Sequence, residues 1–181
     1  MKKVSLYVPK VEDLWFREKC MSDPKTMAYN AGYDVSFDGY HYDTGCIDFP
    51  AHKHQVWYDE KMTDHNFFFA YIQDDETREW VGYVNFKKNP DTQKASMGIV
   101  MNSEYQGKGY MRPAMLELLK KAAEKKVSAL TDNVPENRER ALKVFYDLGF
   151  VKTGEEITNK FGKPELVADI EYVINENIKT K

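Results

Sequence analysis

A chain of 181 residues that is 42% hydrophobic and 30% charged can bury a core of its own, and its length argues for one domain spanning residues 1–181. A formal net charge of −3 gives no overall basic field for a nucleic-acid backbone or an anionic membrane surface, so neither is expected as a partner. Cys20 and Cys46 stand apart without CxxC spacing, which argues against a disulfide framework or a zinc motif and fits a reducing cytoplasm.

The opening "MKKVSLYVPKVEDLWF" meets Pro9, Glu12 and Asp13 before any apolar run long enough for a signal peptide or a membrane span, so a cytoplasmic location is expected. Val4, Leu6 and Val8 alternate as in a short strand that Pro9 stops. "VEDLWFREKCMSD" follows with Val11, Leu14, Trp15 and Cys20 at helical spacing. "SDPKTMAYNAG" then predicts a second short helix, with Asp23 as cap, Pro24 at the first position and Gly32 as stop.

Between Met27 and His52 there is no lysine or arginine, while Asp34, Asp38, Asp43 and Asp48 alternate with Tyr29, Tyr33, Phe37, Tyr40, Tyr42 and Phe49. This acidic, aromatic stretch is either a surface excursion whose rings fold back on the core or a wall of a substrate site. Asp48 and Pro50 are expected to cap a helix through "AHKHQVWYDEKM" that buries Val56, Trp57 and Met62. His52 and His54, two apart on that helix, face different directions, so no metal site is expected.

"NFFFAYIQ", "EWVGYVNFK" and "KASMGIVM" are apolar, β-rich runs separated by turn-forming segments, which predicts an antiparallel meander. Met115, Leu118, Leu119 and Ala122 then mark the buried face of a long amphipathic helix. "VSALTDNV" predicts a strand, "ENRERALKVFYDLG" a helix stopped by Gly149, and "FVKTGEEI" with "ELVADIEYVI" a hairpin about "NKFGKP". The fold class expected is mixed α/β, an antiparallel meander leading into one β-α-β-α unit.

Within that unit, "MGIVMNSEYQGKGYM" runs from a strand into the mouth of a helix. Unpaired N–H groups and the helix dipole favour an anion there. Gly107 and Gly109 permit close approach, and Lys108 and Arg112 add positive charge, so phosphate or pyrophosphate is the natural ligand. Neither common nucleotide loop is present: there is no GxxxxGK followed by Ser or Thr, and "GKGYMR" lacks the third glycine of GxGxxG.

The stretch "ASMGIVM", "EYQGKGYM", long helix, "SALTDNV" and "ENRERALKVFYDLGF" resembles the central motifs of the GNAT superfamily of acyl-CoA N-acyltransferases, over about Trp80 to Phe150. That family's loop is Arg or Gln, two residues, Gly, one residue, then Gly or Ala; Gln106, Gly107, Lys108, Gly109 and Tyr110 match, and Met111 replaces the last small residue. The resemblance implies a mainly antiparallel sheet with flanking helices, and acetyl-CoA as cosubstrate without a metal. It implies loop amides on the pyrophosphate and the backbone of Ile99, Val100 and Met101 paired with the pantetheine arm like an added strand. Two positions depart from the pattern. The Asn expected eleven residues before the Gly of "LGF" is Arg138, with Asn137 one earlier; the Tyr expected four residues before that Gly is Phe145, with Tyr146 next to it and turned about 100° around the helix. Asn137 and Phe145 are the positions that would face the cofactor.

The function implied is acetyl transfer to a primary amine by direct attack on the thioester, which needs an acceptor for the amine's proton. Glu104, Asp34, Asp38, Asp43 and His41 are candidates, and a tyrosine of the acidic stretch such as Tyr42 could supply a proton to the leaving thiolate. The acidic stretch suits a cationic amine, whether polyamine, aminoglycoside-like or peptide, taken by a monomer or a homodimer. A non-catalytic acyl-CoA-binding module is the alternative from another class.

Overall fold

A computed structural model of the chain describes residues 2–174. Seven strands form one sheet: β1 (Val4–Tyr7), β2 (Phe67–Asp74), β3 (Trp80–Lys88), β4 (Lys94–Met101), β5 (Ala129–Pro135), β6 (Val151–Lys160) and β7 (Lys163–Val173), in the order β1-β2-β3-β4-β5-β7-β6. Every neighbouring pair is antiparallel except β4 with β5. The helices are α1 (Trp15–Ser22), α2 (Pro24–Met27), α3 (His54–Lys61), α4 (Met111–Glu124) and α5 (Glu139–Leu148).

Alternation along the strands gives the sheet two apolar faces. On one, Phe68, Ile72, Val84, Phe86, Met97 and Leu130 meet α4 and α5. The α4 residues Met115, Leu118, Leu119 and Ala122 are buried there, as their spacing predicts, and each fully buried leucine contributes about 1.5–3 kcal/mol. On the other face, Phe69, Tyr71, Tyr83 and Val100 pack against Phe16 and Cys20 of α1. Gly149 ends α5 at φ 104°, a left-handed cap that a side chain would strain, and its amide returns to Tyr146 and Phe145.

Three local expectations are corrected. α1 buries Phe16, Cys20 and Met21, while Trp15 is 54% exposed, because a 3-10 turn over Val11–Asp13 precedes the helix, which starts only after its cap Leu14. Asp48 does not cap α3: its Oδ1 lies 2.9 Å from His41 Nε2, and a 3-10 turn over Ala51–Lys53 leads into the helix instead. Val56 is 60% exposed, and α3 packs through Trp57 and Met62. Asp23 does cap α2, accepting from the amides of Lys25 and Thr26 ahead of Pro24.

Candidate active site

The parallel pair β4–β5 holds for only three residues, Lys94 to Ser96 against Ala129 to Thr131. Beyond it β4 continues to Met101 and β5 to Pro135 with no further pairing between them among the described residues, so a wedge opens in the middle of the sheet. Register decides which backbone groups enter it. The amide of Asn102 donates to Val81, which makes that level a hydrogen-bonded pair, and alternation makes Val100 with Tyr83 and Gly98 with Asn85 bonded pairs as well. The N–H and C=O groups of Ile99 and Met101 therefore point away from β3, into the wedge. Val100 does not offer its backbone there; it is turned to β3 and its side chain is buried under α1. The carbonyl of Met101 is taken by the side chain of Gln106 at 3.0 Å, which leaves two N–H donors and the carbonyl of Ile99.

From β4 the chain runs through a 3-10 turn (Ser103–Tyr105) into the glycine loop. Gly107 and Gly109 hold φ of 71° and 84°, and a side chain at either would meet no protein atom within 4 Å. The glycines are required by backbone conformation, and the space before them is open. The amides of Gly107, Gly109, Tyr110, Met111 and Arg112 have no protein acceptor among the described residues, and Pro113 places its missing N–H in the first helical turn, where none could be paired. Such a nest of donors at a helix N-terminus can hold a phosphate-type anion. Lys108 is exposed, with Nζ 5.5 Å from the Tyr105 ring centroid, while Arg112 is turned to the carbonyl of Asp147 at 3.4 Å.

The loop is anchored from behind. Tyr110 is 4% exposed and donates to Asp74 Oδ2 at 2.5 Å, so it offers its amide and not its ring. Asp74 also receives Lys2 Nζ at 3.2 Å and the amides of Glu76 and Thr77. Its carboxyl is held well below the usual carboxylate range, chiefly by the Tyr110 hydrogen bond.

At the far side of the wedge, Asp132 is the first β5 residue past the last pair with β4. Its Oδ1 accepts the amide of Asn133 at 2.9 Å, and burial pushes its carboxyl up to about 7. Tyr29, first aromatic of the acidic stretch, is half-buried beside it, its hydroxyl pushed up to about 12 by burial. The Arg138 guanidinium lies 5.3 Å from the Tyr29 ring centroid, and Lys160 Nζ donates to the Tyr29 carbonyl at 3.0 Å. The rest of the stretch is pinned to the tip of the β6–β7 hairpin. Phe161 donates its amide to Gly32 at 2.7 Å, and Tyr33 donates to Glu165. Glu136, Asn137, Lys160, Phe161 and Glu165 line a groove of about 480 Å³ at this tip.

The residues singled out in the sequence fall into three groups. Ile99, Met101, Gln106, Gly107, Lys108, Gly109 and the amides of Tyr110 and Met111 come together along one path from wedge to helix. Phe145 does not join them: at 2% exposure it is a core residue, edge-on to Phe150, with no surface to offer a ligand. Asn137 has its amide nitrogen on Glu165 Oε1 at 2.9 Å, away from the loop. Glu104, Asp34 and Tyr42 are not brought together. Glu104 is exposed and paired with Lys19 at 3.4 Å, Asp34 is exposed without a hydrogen bond among the described residues, and Tyr42 is 46% exposed with its ring against Phe161. Asp132 was not singled out; its only mark in the sequence is a lone carboxylate inside the strand run "ALTDNV".

Among the described residues no group of three or more His, Cys, Asp or Glu side chains is placed to hold a metal ion, and no helix is long and apolar enough to cross a membrane. Comparison with curated proteins gives no significant match. Solved structures of similar fold include the spermidine N-acetyltransferase of Vibrio cholerae in complex with CoA and spermine, 16% identical, with 95% of this chain and 96% of that one covered and a TM-score of 0.78. A chimera of that enzyme, SpeG, with hSSAT is 15% identical over 99% of both chains, with a TM-score of 0.76. Another form, in complex with manganese ions, is 16% identical over 94% and 92%, with a TM-score of 0.73. The model of the acetyltransferase (GNAT) family matches residues 35–150, more than half of the chain and the whole path from the wedge through the glycine loop to Phe150. The chain therefore belongs to the GNAT acetyltransferase family and is an acyl-CoA-dependent N-acetyltransferase, moving an acetyl group from acetyl-CoA to an amine.

Proposed function

We propose that the acceptor is a cationic amine of polyamine type, which enters from the side of the acidic stretch while acetyl-CoA lies along the glycine loop and the wedge. The observation that carries this reading is the seating of a stretch with four aspartates and no lysine or arginine beside the open end of β5 through Tyr29 and on the start of β7 through Tyr33. Its charge is not uniform. Lys53 pairs with Asp38 at 2.9 Å and His41 meets Asp48, whereas Asp34 and Asp43 have no ion pair among the described residues. Those two supply the net negative potential, and Tyr42 and Phe37, both about half exposed, offer ring faces for an ammonium group. The Vibrio cholerae fold neighbour in complex with CoA and spermine supports the same class of acceptor.

For acetyl-CoA, the free amides of Gly107, Gly109, Tyr110, Met111 and Arg112 suit the pyrophosphate, and Lys108 adds a mobile charge. The N–H groups of Ile99 and Met101 suit an extended arm lying beside β4, and one of them is the donor for the thioester carbonyl as negative charge develops on it. The amine then attacks the carbonyl carbon, the C–N bond forms, the C–S bond breaks and coenzyme A leaves as thiolate. We take residues 1–181 as a single domain of this activity in the cytoplasm, acting as a monomer or a homodimer.

The test is initial-rate release of free thiol from acetyl-CoA with spermidine, spermine, an aminoglycoside, a peptide and an uncharged-tail monoamine. At low ionic strength the polyamines should exceed the monoamine at least tenfold in kcat/KM, about 1.4 kcal/mol, and the margin should shrink with salt. Equal use of the monoamine overturns the cationic assignment.

A further inference from the structure

The geometry points to Asp132 as the group that takes the proton from the attacking amine. The assignment rests on the amine-acetylating reading of the wedge, and four observations carry it. First, Asp132 stands at the apex where β5 leaves β4: Thr131 is the last residue paired with β4, and continuing that register puts Asp132 level with Met97. Ile99, whose N–H enters the wedge, is two residues further along, roughly 7 Å at strand rise. A carbonyl held by the Ile99 amide thus lies within one small molecule's reach of the Asp132 carboxylate.

Second, the carboxylate is held but not used up. Oδ1 is fixed by the Asn133 amide, and the other oxygen has no hydrogen-bond partner among the described residues, nor is it among the buried polar atoms sealed from solvent. An oriented carboxylate with one unpartnered oxygen that is not sealed from solvent is what a proton acceptor requires.

Third, among the described residues the neighbours leave it the one base there without a side-chain partner. Arg138, from the start of α5, is its one opposite charge in reach, and that guanidinium is also drawn over the Tyr29 ring. From the acidic stretch, Tyr29 is the group that interacts with Asp132, and burial keeps its hydroxyl protonated at neutral pH. On β7, Ile170 is level with Asp132, and the flanking acids are engaged elsewhere: Asp169 with the Asn133 side chain, Glu171 with Lys94 at 2.6 Å. The facing β4 residues Met97, Gly98 and Ile99 carry no ionisable group. Glu104, Asp34 and Asp43, by contrast, are exposed.

Fourth, burial gives the group the proton affinity this work needs. A carboxyl raised to about 7 is ionised enough to accept a proton at neutral pH and basic enough to hold it. The ammonium of the acceptor passes its proton to the free oxygen of Asp132, and the neutral amine attacks. As the C–S bond breaks, the nitrogen gives up its remaining extra proton to solvent to leave a neutral amide, the departing thiolate draws a proton from solvent, and Asp132 returns its own to solvent.

The experiment compares Asp132→Asn with the unaltered chain, using acetyl-CoA and saturating spermidine from pH 5.5 to 9.5. Asparagine keeps the shape and an oxygen for the Asn133 amide. In the unaltered chain kcat should rise with pH through an apparent midpoint near 7, because the base works only when ionised. In Asp132→Asn that limb should vanish and kcat fall at least about a hundredfold, the scale of a lost general base, with acetyl-CoA affinity by calorimetry unchanged. Turnover within threefold with the same acid limb overturns the assignment. Should the variant fail to fold, the unaltered chain alone decides, and a kcat flat between pH 6 and 8.5 overturns it. If the unaltered chain uses spermidine no better than the monoamine, the acceptor reading has failed separately, and the Asp132 comparison moves to the fastest amine of the panel.

Discussion

The two sides of the wedge are made of different material. The glycine-loop side is built from backbone: two amides of β4, a run of amides over Gly107 to Arg112, and a helix start, with side chains serving mainly as anchors from behind. The proposed acceptor side is built from side chains that arrive from distant places, namely Tyr29 and Tyr33 from the acidic stretch, Asp132 from β5, Arg138 at the cap of α5 and Glu165 from β7. A backbone site needs only a strand, two residues with positive φ and a helix in sequence, so it is set by local order. A side-chain site depends on which elements the fold brings together, and no short stretch of sequence carries that.

The largest effect is expected behind the loop. Asp74 is 2% exposed and gathers Tyr110, Lys2 and two turn amides, so Asp74→Asn should lose about 2 kcal/mol of stability through weakened charge-assisted hydrogen bonds. The sign of the pH dependence follows from its depressed carboxyl. The stabilisation is fully present above the ordinary carboxylate value, near pH 4, and is lost as pH falls through the lower folded value. Thermal unfolding at neutral pH and at pH 3 checks this, since the variant's deficit should narrow in acid. A constant deficit would mean that Asp74 acts by shape alone.

Gly109→Val separates the two sides directly. The position has open space but a φ of 84°, so the variant is strained in the backbone and the amides that follow must turn. Acetyl-CoA affinity by calorimetry should fall at least tenfold, about 1.4 kcal/mol, while the acceptor's KM holds within twofold. Unchanged affinity in a folded variant would remove the loop from the cofactor site.

The mirror experiment is Asp34→Asn with Asp43→Asn. Because Asp38 and Asp48 already have partners, these two changes remove the uncompensated part of the acidic potential. The acceptor's KM should rise about threefold at low ionic strength and hardly at all at high salt, with acetyl-CoA affinity unmoved. An effect on acetyl-CoA instead would merge the two sides into one.

Legibility in the sequence followed the same division. The meander, the amphipathic α4, the Gly149 cap and the glycine loop came from periodicity, turn residues and spacing, all local signals. The resemblance carried the cofactor path as a set of neighbouring residues, but it could not tell Val100, turned to β3, from Ile99 and Met101 on either side. That distinction lies in the pairing register. Asp132 was hidden for a related reason: a carboxylate in a strand is usually a solvent-facing residue, and the burial of this one is set by elements distant in the sequence. Trp15 alone leaves the stripe expected for α1, because a 3-10 turn precedes the helix and the spacing of apolar residues does not mark where one helix type gives way to the other.

The smallest effect is expected at Tyr146, and it tests whether α5 belongs to either side. The family's acid position is Phe145, which the fold has sealed in the core at 2% exposure. Tyr146, one residue on, is 41% exposed and lines a shallow groove with Glu136, Glu139, Leu142, Lys143 and Asp147 on the outer face of the helix. One step of about 100° separates the two directions, so the hydroxyl has no path to the wedge while Phe145 holds the helix in place. Tyr146→Phe should therefore leave turnover within about threefold, with thiolate protonation left to solvent, and Phe145→Tyr should bring no gain because a hydroxyl in that packed site has no partner among the described residues. A loss of about a hundredfold in Tyr146→Phe, the scale of a removed general acid, would mean that α5 turns when substrate binds and that the acceptor side includes it.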